Sequence, residues 1–177
     1  GFFAQHEQGL DKWEECIDIS IKGTLYGICA VYDQMIAQGC GQIINVSSIY
    51  GNYPLAGAGV YQVAKMGVQY LADSLHSECQ GKIKVSTIKP TGFQRTGLMG
   101  TVVDPMAGSD IMCDLLKAAD EFENMASRQD YHDINSITYM DPDPQILADN
   151  IVYLIDQPWG INISDITVRA AGDNFNI

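Results

Sequence analysis

The chain has 177 residues, 46% of them hydrophobic and 18% charged, which excludes a disordered segment and is enough to bury the core of one domain. A net charge of -12 and a pI near 4.3 exclude a binder of the phosphate backbone of nucleic acids, because no basic patch exists to neutralise it. No apolar run reaches the roughly 18 residues that a membrane-spanning helix needs.

The first periodic stretch predicts a long helix from about 11 to 38, where Trp13, Cys16, Ile17, Ile28, Tyr32, Met35 and Ile36 recur at helical spacing. Gly39-Cys40-Gly41 is expected to end it. Residues 42 to 48 read as a short, buried parallel strand with Ile43, Ile44 and Val46. Gly51, Pro54, Gly57 and Gly59 then let the chain turn sharply over a pocket. A helix is expected from about 60 to 79, with Ala64, Val68, Leu71, Ala72, Leu75 and Cys79 on one face.

Residues 83 to 89 alternate as a strand, which Pro90-Thr91-Gly92 stops. The stretch from 97 to 140 is irregular, with a helical candidate at about 110 to 127 and five methionines. A connection this long inside one domain is expected to be functional, and it is read as a lid over the site. Asp143 and Pro144 are placed as the N-cap and first residue of a helix to about Asp156. Gln157-Pro158-Trp159-Gly160 breaks it, and 161 to 169 is the last strand.

The five cysteines contain no Cys-x-x-Cys, and Cys16, Cys29 and Cys79 fall in helical patterns. They are read as small buried hydrophobes in a reducing, cytoplasmic setting. His6, His76 and His132 lack ligand spacing, so no metal site is expected. Asn45-Val-Ser and Asn162-Ile-Ser match the glycosylation sequon, but both are placed in strands and are taken as chance matches.

The residues that carry chemistry are Ser48, Tyr61 and Lys65. Tyr61 and Lys65 are four apart and share a helix face, while Ser48 stands at the carboxyl end of a strand, where open α/β sheets bind ligands. A free phenol has a pKa near 10, leaving about one molecule in a thousand ionised at pH 7. An ammonium about 4 Å away would favour the phenolate by up to about 4 kcal/mol at an effective dielectric near 20. Lys65 is therefore expected to lower the Tyr61 pKa and make the phenol an acid and base near neutrality. Ser48 would hold the substrate oxygen.

A strand, Ser-Ser, a glycine loop and then Tyr-x-x-x-Lys resembles the short-chain dehydrogenase/reductase family. The resemblance implies a Rossmann-like α/β fold, a three-layer parallel sheet with helices on both faces. It also implies hydride transfer between NAD or NADP, with NADP favoured, and a carbonyl or secondary alcohol. Tyr61 would pass the proton, Lys65 would also bond the nicotinamide ribose, and Pro90, Gly92, Phe93 and Thr96 would line the cofactor. Ser48, Tyr53, Tyr61, Leu98 and Met99 would face a small-molecule substrate in an apolar pocket. The family's paired helices imply a homo-oligomer through residues 11–38 and 60–79.

Two departures qualify this. Ser20 stands where many members carry an Asn that holds a water leading from the lysine, and its shorter hydroxyl would take that catalytic role with less reach. No Gly-x-Gly-x-x-Gly is present, so the chain is expected to be N-terminally truncated, with the first strand, the glycine turn and two further βα units upstream. The alternative expectation is a catalytically silent fragment or a dimerisation module.

Overall fold

The computed structural model describes residues 1–93, 96–97, 128–140 and 142–173. Its centre is a parallel sheet in the order β1 (Gly41–Val46), β2 (Ile83–Pro90), β3 (Asp165–Val168). The register pairs Gly41 with Ile83 through Val46 with Ile88, and Thr87 with Asp165 through Pro90 with Val168. The carboxyl ends of all three strands therefore lie along one edge.

Strand alternation sorts the side chains of β2 to two faces. On one face Ile83 and Val85 join Ala72, Leu75 and Cys79 in a buried cluster, against which Ile28, Tyr32, Met35, Ile36 and Ile43 pack. Each large aliphatic side chain buried there contributes about 1.5–3 kcal/mol. On the other face Lys84 is buried, donates from Nζ to Gln157 O at 3.1 Å and lies over the Trp159 ring. Gln42 Nε2 donates to Leu154 O at 3.0 Å on that same side. Helices thus cover both faces, the three-layer Rossmann-like architecture expected from the sequence. The strand expected over 83–89 is buried from Ile83 to Ile88, because β2 lies between two strands and two helical layers.

The predicted helix over 11–38 is a longer helical run in three parts: α1 (His6–Ile17), a π-helical segment (Asp18–Lys22) and α2 (Gly23–Gln38). Gly39 ends it with a φ of 70°, a left-handed cap that glycine adopts without strain. Gly41 does not belong to that stop: it opens β1, where a Cβ would sit 2.5 Å from Met35 Sδ. The next helix, α3 (Gly59–Glu78), buries Gln62, Ala64, Val68, Ala72 and Leu75. After β2 come the short α4 (Gln129–His132) and α5 (Pro144–Ile155). The Asp143 carboxylate accepts from Gln145 N at 2.8 Å, the N-cap expected from Asp143-Pro144.

Two expectations are corrected. The last strand covers only Asp165–Val168, because Asn162 turns its amide onto Val85 O at 3.0 Å; the second sequon lies in this approach, outside the strand. Of the cysteines, Cys79 is buried, Cys16 half-buried, and Cys29 and Cys40 exposed. Cys29 is one residue past Ile28, about 100° round the helix from the stripe that packs on the sheet. Cys113, the helical candidate at 110–127, Leu98 and Met99 lie outside the described residues.

Candidate active site

Beyond Val46 the chain stays extended through Ser47 and Ser48 and then makes a 3₁₀ turn at Ile49–Gly51. Neighbouring side chains in extended backbone point opposite ways, so the two serines serve different partners. Ser47 donates to Lys65 O at 2.8 Å and accepts from Gln69 Nε2 at 3.1 Å, tying the strand end to α3. Ser48 turns the other way: Oγ accepts from Tyr50 N at 3.2 Å, and the hydroxyl stands near enough to the Tyr61 phenol to favour its ionised form. Lys65, one turn further along α3, has its Nζ 5.7 Å from the centre of the Tyr61 ring and donates to Val46 O at 3.3 Å. Ser48, Tyr61 and Lys65 are thus brought together at the carboxyl edge of the sheet.

The electrostatics correct the expected sign. Burial pushes the Tyr61 phenol above its ordinary value; the Ser48 hydroxyl pulls it down, and nearby Cys16 pushes it up. Burial likewise pushes the Lys65 ammonium down. The environment that brings the two groups together withholds water from both charged forms, and Lys65 is not among the groups that shift the phenol. Tyr61 is a protonated phenol at neutral pH.

Ser20 sits half-buried in the π-helical segment, a local geometry frequent at functional sites. Its carbonyl accepts from Thr24 Oγ1 at 2.7 Å, and its hydroxyl stands near enough to the Cys16 thiol to favour the thiolate. Burial raises the Cys16 thiol, while Ser20 and the charge of Lys65 lower it. Ser20 therefore reaches the neighbourhood of Lys65 through a thiol that the sequence reading placed only in an apolar stripe. The four-residue spacing of Cys16 and Ser20 was the available signal.

Gln62 is the other residue that sequence reasoning missed. Buried on α3 beside Tyr61, it accepts from Leu55 N at 2.8 Å and donates to Tyr53 O at 2.7 Å, clamping the glycine-rich loop with both ends of its amide. Tyr50 packs edge-on against Tyr61 with ring centres 6.0 Å apart. Pro90 ends β2 half-buried, followed by exposed Gly92 and half-buried Phe93. Thr96 is exposed and donates to Phe93 O at 3.3 Å, so its hydroxyl closes its own turn. A separate open cleft of about 410 Å³ lies on the other flank of α3, lined by Asn52, Met66, Gln69, Tyr70, Asp73 and Lys89 among others. Among the described residues there is no cluster of three metal-ligating side chains, and no helix is long and apolar enough to cross a membrane.

The family model described as short chain dehydrogenase matches residues 1–106. The chain belongs to the short-chain dehydrogenase family. Within this family, a Haemophilus influenzae protein named "Probable NADP-dependent dehydrogenase" is 32% identical over 176 residues, covering 99% of this chain and 61% of that protein. An uncharacterized oxidoreductase of Listeria monocytogenes is 32% identical over 161 residues, covering 89% of this chain and 56% of its own length. The closed form of serine dehydrogenase complexed with NADP+ superposes with a TM-score of 0.66 at 23% identity, over 92% of this chain and 57% of that one. A gluconate 5-dehydrogenase from Burkholderia cenocepacia in complex with NADP and tartrate gives 0.65 at 20% identity, over 92% and 56%. At these identities the solved structures establish the shared fold. The short-chain dehydrogenase chain described here spans a little over half the length of these relatives.

Proposed function

We propose that this chain supplies the catalytic half of an NADP-dependent oxidoreductase acting on a carbonyl or secondary alcohol. The observation that carries this reading is the gathering of Ser48, the Tyr61 phenol and Lys65 at the carboxyl edge of the sheet, with Lys65 Nζ 5.7 Å from the Tyr61 ring. When bound, the nicotinamide supplies or takes up the hydride. Ser48 holds the substrate oxygen, and Tyr61 Oη delivers the proton to it. A phenol that burial keeps protonated is loaded as an acid, so the residues as arranged favour the reducing direction.

The residues fit the nicotinamide half of the cofactor. An ammonium carries three donors, and the half-buried Lys65 uses one of them on Val46 O, leaving donors for a ribose hydroxyl beside Tyr61. Pro90, Gly92, Phe93 and Thr96 follow the end of β2 and line the ring. The choice of NADP is supported by the name of the Haemophilus relative and by the ligand in both solved structures cited above. Ser20, through Cys16, holds the proton path behind Lys65. The lid expected over 97–140 lies largely outside the described residues; at its far end Gly172 N donates to Tyr139 O at 2.9 Å.

A second copy of the chain covers the apolar side chains exposed along the first helical run and α3: Ile19, Tyr26, Val63, Met66 and Tyr70. Tyr61→Phe tests the central claim. NADPH-dependent carbonyl reduction by the natural polypeptide that carries these residues is expected to fall at least about a hundredfold. Activity retained within tenfold overturns the assignment.

A further inference from the structure

We propose that the Tyr53 and Thr91 hydroxyls, beside the Arg169–Asp173 ion pair, form a polar subsite that takes a hydroxyl group carried by the substrate; this rests on the oxidoreductase reading above and names its substrate class. Tyr53 Oη and Thr91 Oγ1 are both shut off from water, and neither has a hydrogen-bond partner. Buried hydroxyls are rarely left so, and such groups in a native fold call for an explanation.

Both residues are tied to the segment that follows β3. Thr91 is fixed where its N donates to Val168 O at 3.1 Å, which places it next to Arg169 at the end of β3. Tyr53 comes close enough to Arg169 and Asp173 to feel both charges. The distance to the reacting groups is bridged by one ring: Tyr50 packs on Tyr61 at 6.0 Å and is itself within electrostatic reach of Tyr53. The Gln62 clamp on Tyr53 O and Leu55 N holds the Tyr53 backbone in place. A substrate whose carbonyl oxygen lies at Ser48 and Tyr61 would extend past Tyr50 toward Tyr53 and Thr91.

The chemistry selects the ligand. A hydroxyl both donates and accepts, so two of them complement a third group of the same kind. The neighbouring guanidinium is already engaged by Asp173, whose side chain is 7% exposed, so the pair presents no net charge that would demand an anion. The subsite therefore suits a hydroxy ketone or polyol, in place of the apolar pocket expected from Tyr53, Phe93, Leu98 and Met99.

The test uses the natural polypeptide with NADPH and three ketones: 3-hydroxybutanone, butanone and acetoacetate. The parent protein is expected to favour 3-hydroxybutanone over butanone by at least about tenfold in kcat/KM, and Tyr53→Phe and Thr91→Val each to narrow that ratio severalfold. Tyr53→Phe removes only the hydroxyl and Thr91→Val exchanges it for a methyl group, and each is expected to raise the urea midpoint of unfolding, as loss of an unpartnered buried hydroxyl should. Turnover with the ratio unchanged in both variants overturns the subsite alone. A lowered midpoint in both also overturns it, since the hydroxyls then have partners in solution. A preference for acetoacetate that Thr91→Val abolishes overturns the neutral ligand class. No turnover of any ketone by the parent protein overturns the oxidoreductase reading, and the substrate class with it.

Discussion

Replacing Gln62 with methionine isolates the clamp on the glycine-rich loop, because the thioether fills nearly the same volume and makes neither hydrogen bond. The parent amide accepts from Leu55 N at 2.8 Å and donates to Tyr53 O at 2.7 Å from a side chain only 7% exposed. Each bond contributes about 1 kcal/mol net, and each backbone group left unpaired costs about 1–3 kcal/mol if water cannot reach it. Leu55 and Tyr53 are half-buried, so water recovers part of the loss, and the expected destabilisation is about 2–3 kcal/mol. With a urea slope of about 1–3 kcal/mol per molar, the unfolding midpoint should fall by about 1 M or more. The Gln62→Glu variant adds a control: it keeps the acceptor for Leu55 N, and protonation restores a donor for Tyr53 O. Its deficit relative to the parent protein, measured at matched pH, should therefore shrink as pH falls through the carboxyl range. A Gln62→Met loss below about 0.5 kcal/mol would refute the claim that the loop is held by this side chain.

Gly172→Ala should destabilise by about 2–3 kcal/mol in urea unfolding. The added Cβ would sit 2.4 Å from Thr138 O and 2.5 Å from Thr138 C, backbone atoms that cannot swing aside. Ser48→Ala removes the one interaction that lowers the Tyr61 phenol, so Tyr61 should titrate at higher pH than in the parent protein, as read by NMR of ring-labelled tyrosine; a downward move would show that Ser48 does not donate to it. Asp130 is held at about 2 by hydrogen bonds from Arg128 and Thr138, below its ordinary 3.8. Its contribution to stability is therefore present above pH 3.8 and lost as pH falls toward 2, and Thr138→Val should move that loss to higher pH in acid unfolding curves.

Local signals carried far in this chain. Asp143-Pro144 predicted the start of α5, and the Asp143 cap is found there, since a cap depends only on residues two or three apart. Tyr61 and Lys65 share a helix face for the same reason. That two adjacent serines serve different partners follows from alternation in extended backbone, whereas the choice of Ser48 rested on its place at the strand end and on the family resemblance. The π-helical turn at Asp18–Lys22 left no periodic trace, for one extra residue in a turn hardly disturbs an apolar stripe. Cys29 looked buried because it lies within a helical pattern, and only the direction of the sheet shows that it faces outward.

By itself the sequence determined the succession of helices and strands, the parallel α/β class and the pairing of phenol with amine along one helix, all consequences of short-range geometry. The tertiary structure alone decided the ionisation of that pair, the thiol of Cys16 behind it, the amide of Gln62 beneath the loop and the unpartnered hydroxyls of Tyr53 and Thr91. These depend on how much water each group loses and on which distant segment replaces it. Desolvation is a property of the packed chain, and no spacing along the sequence measures it.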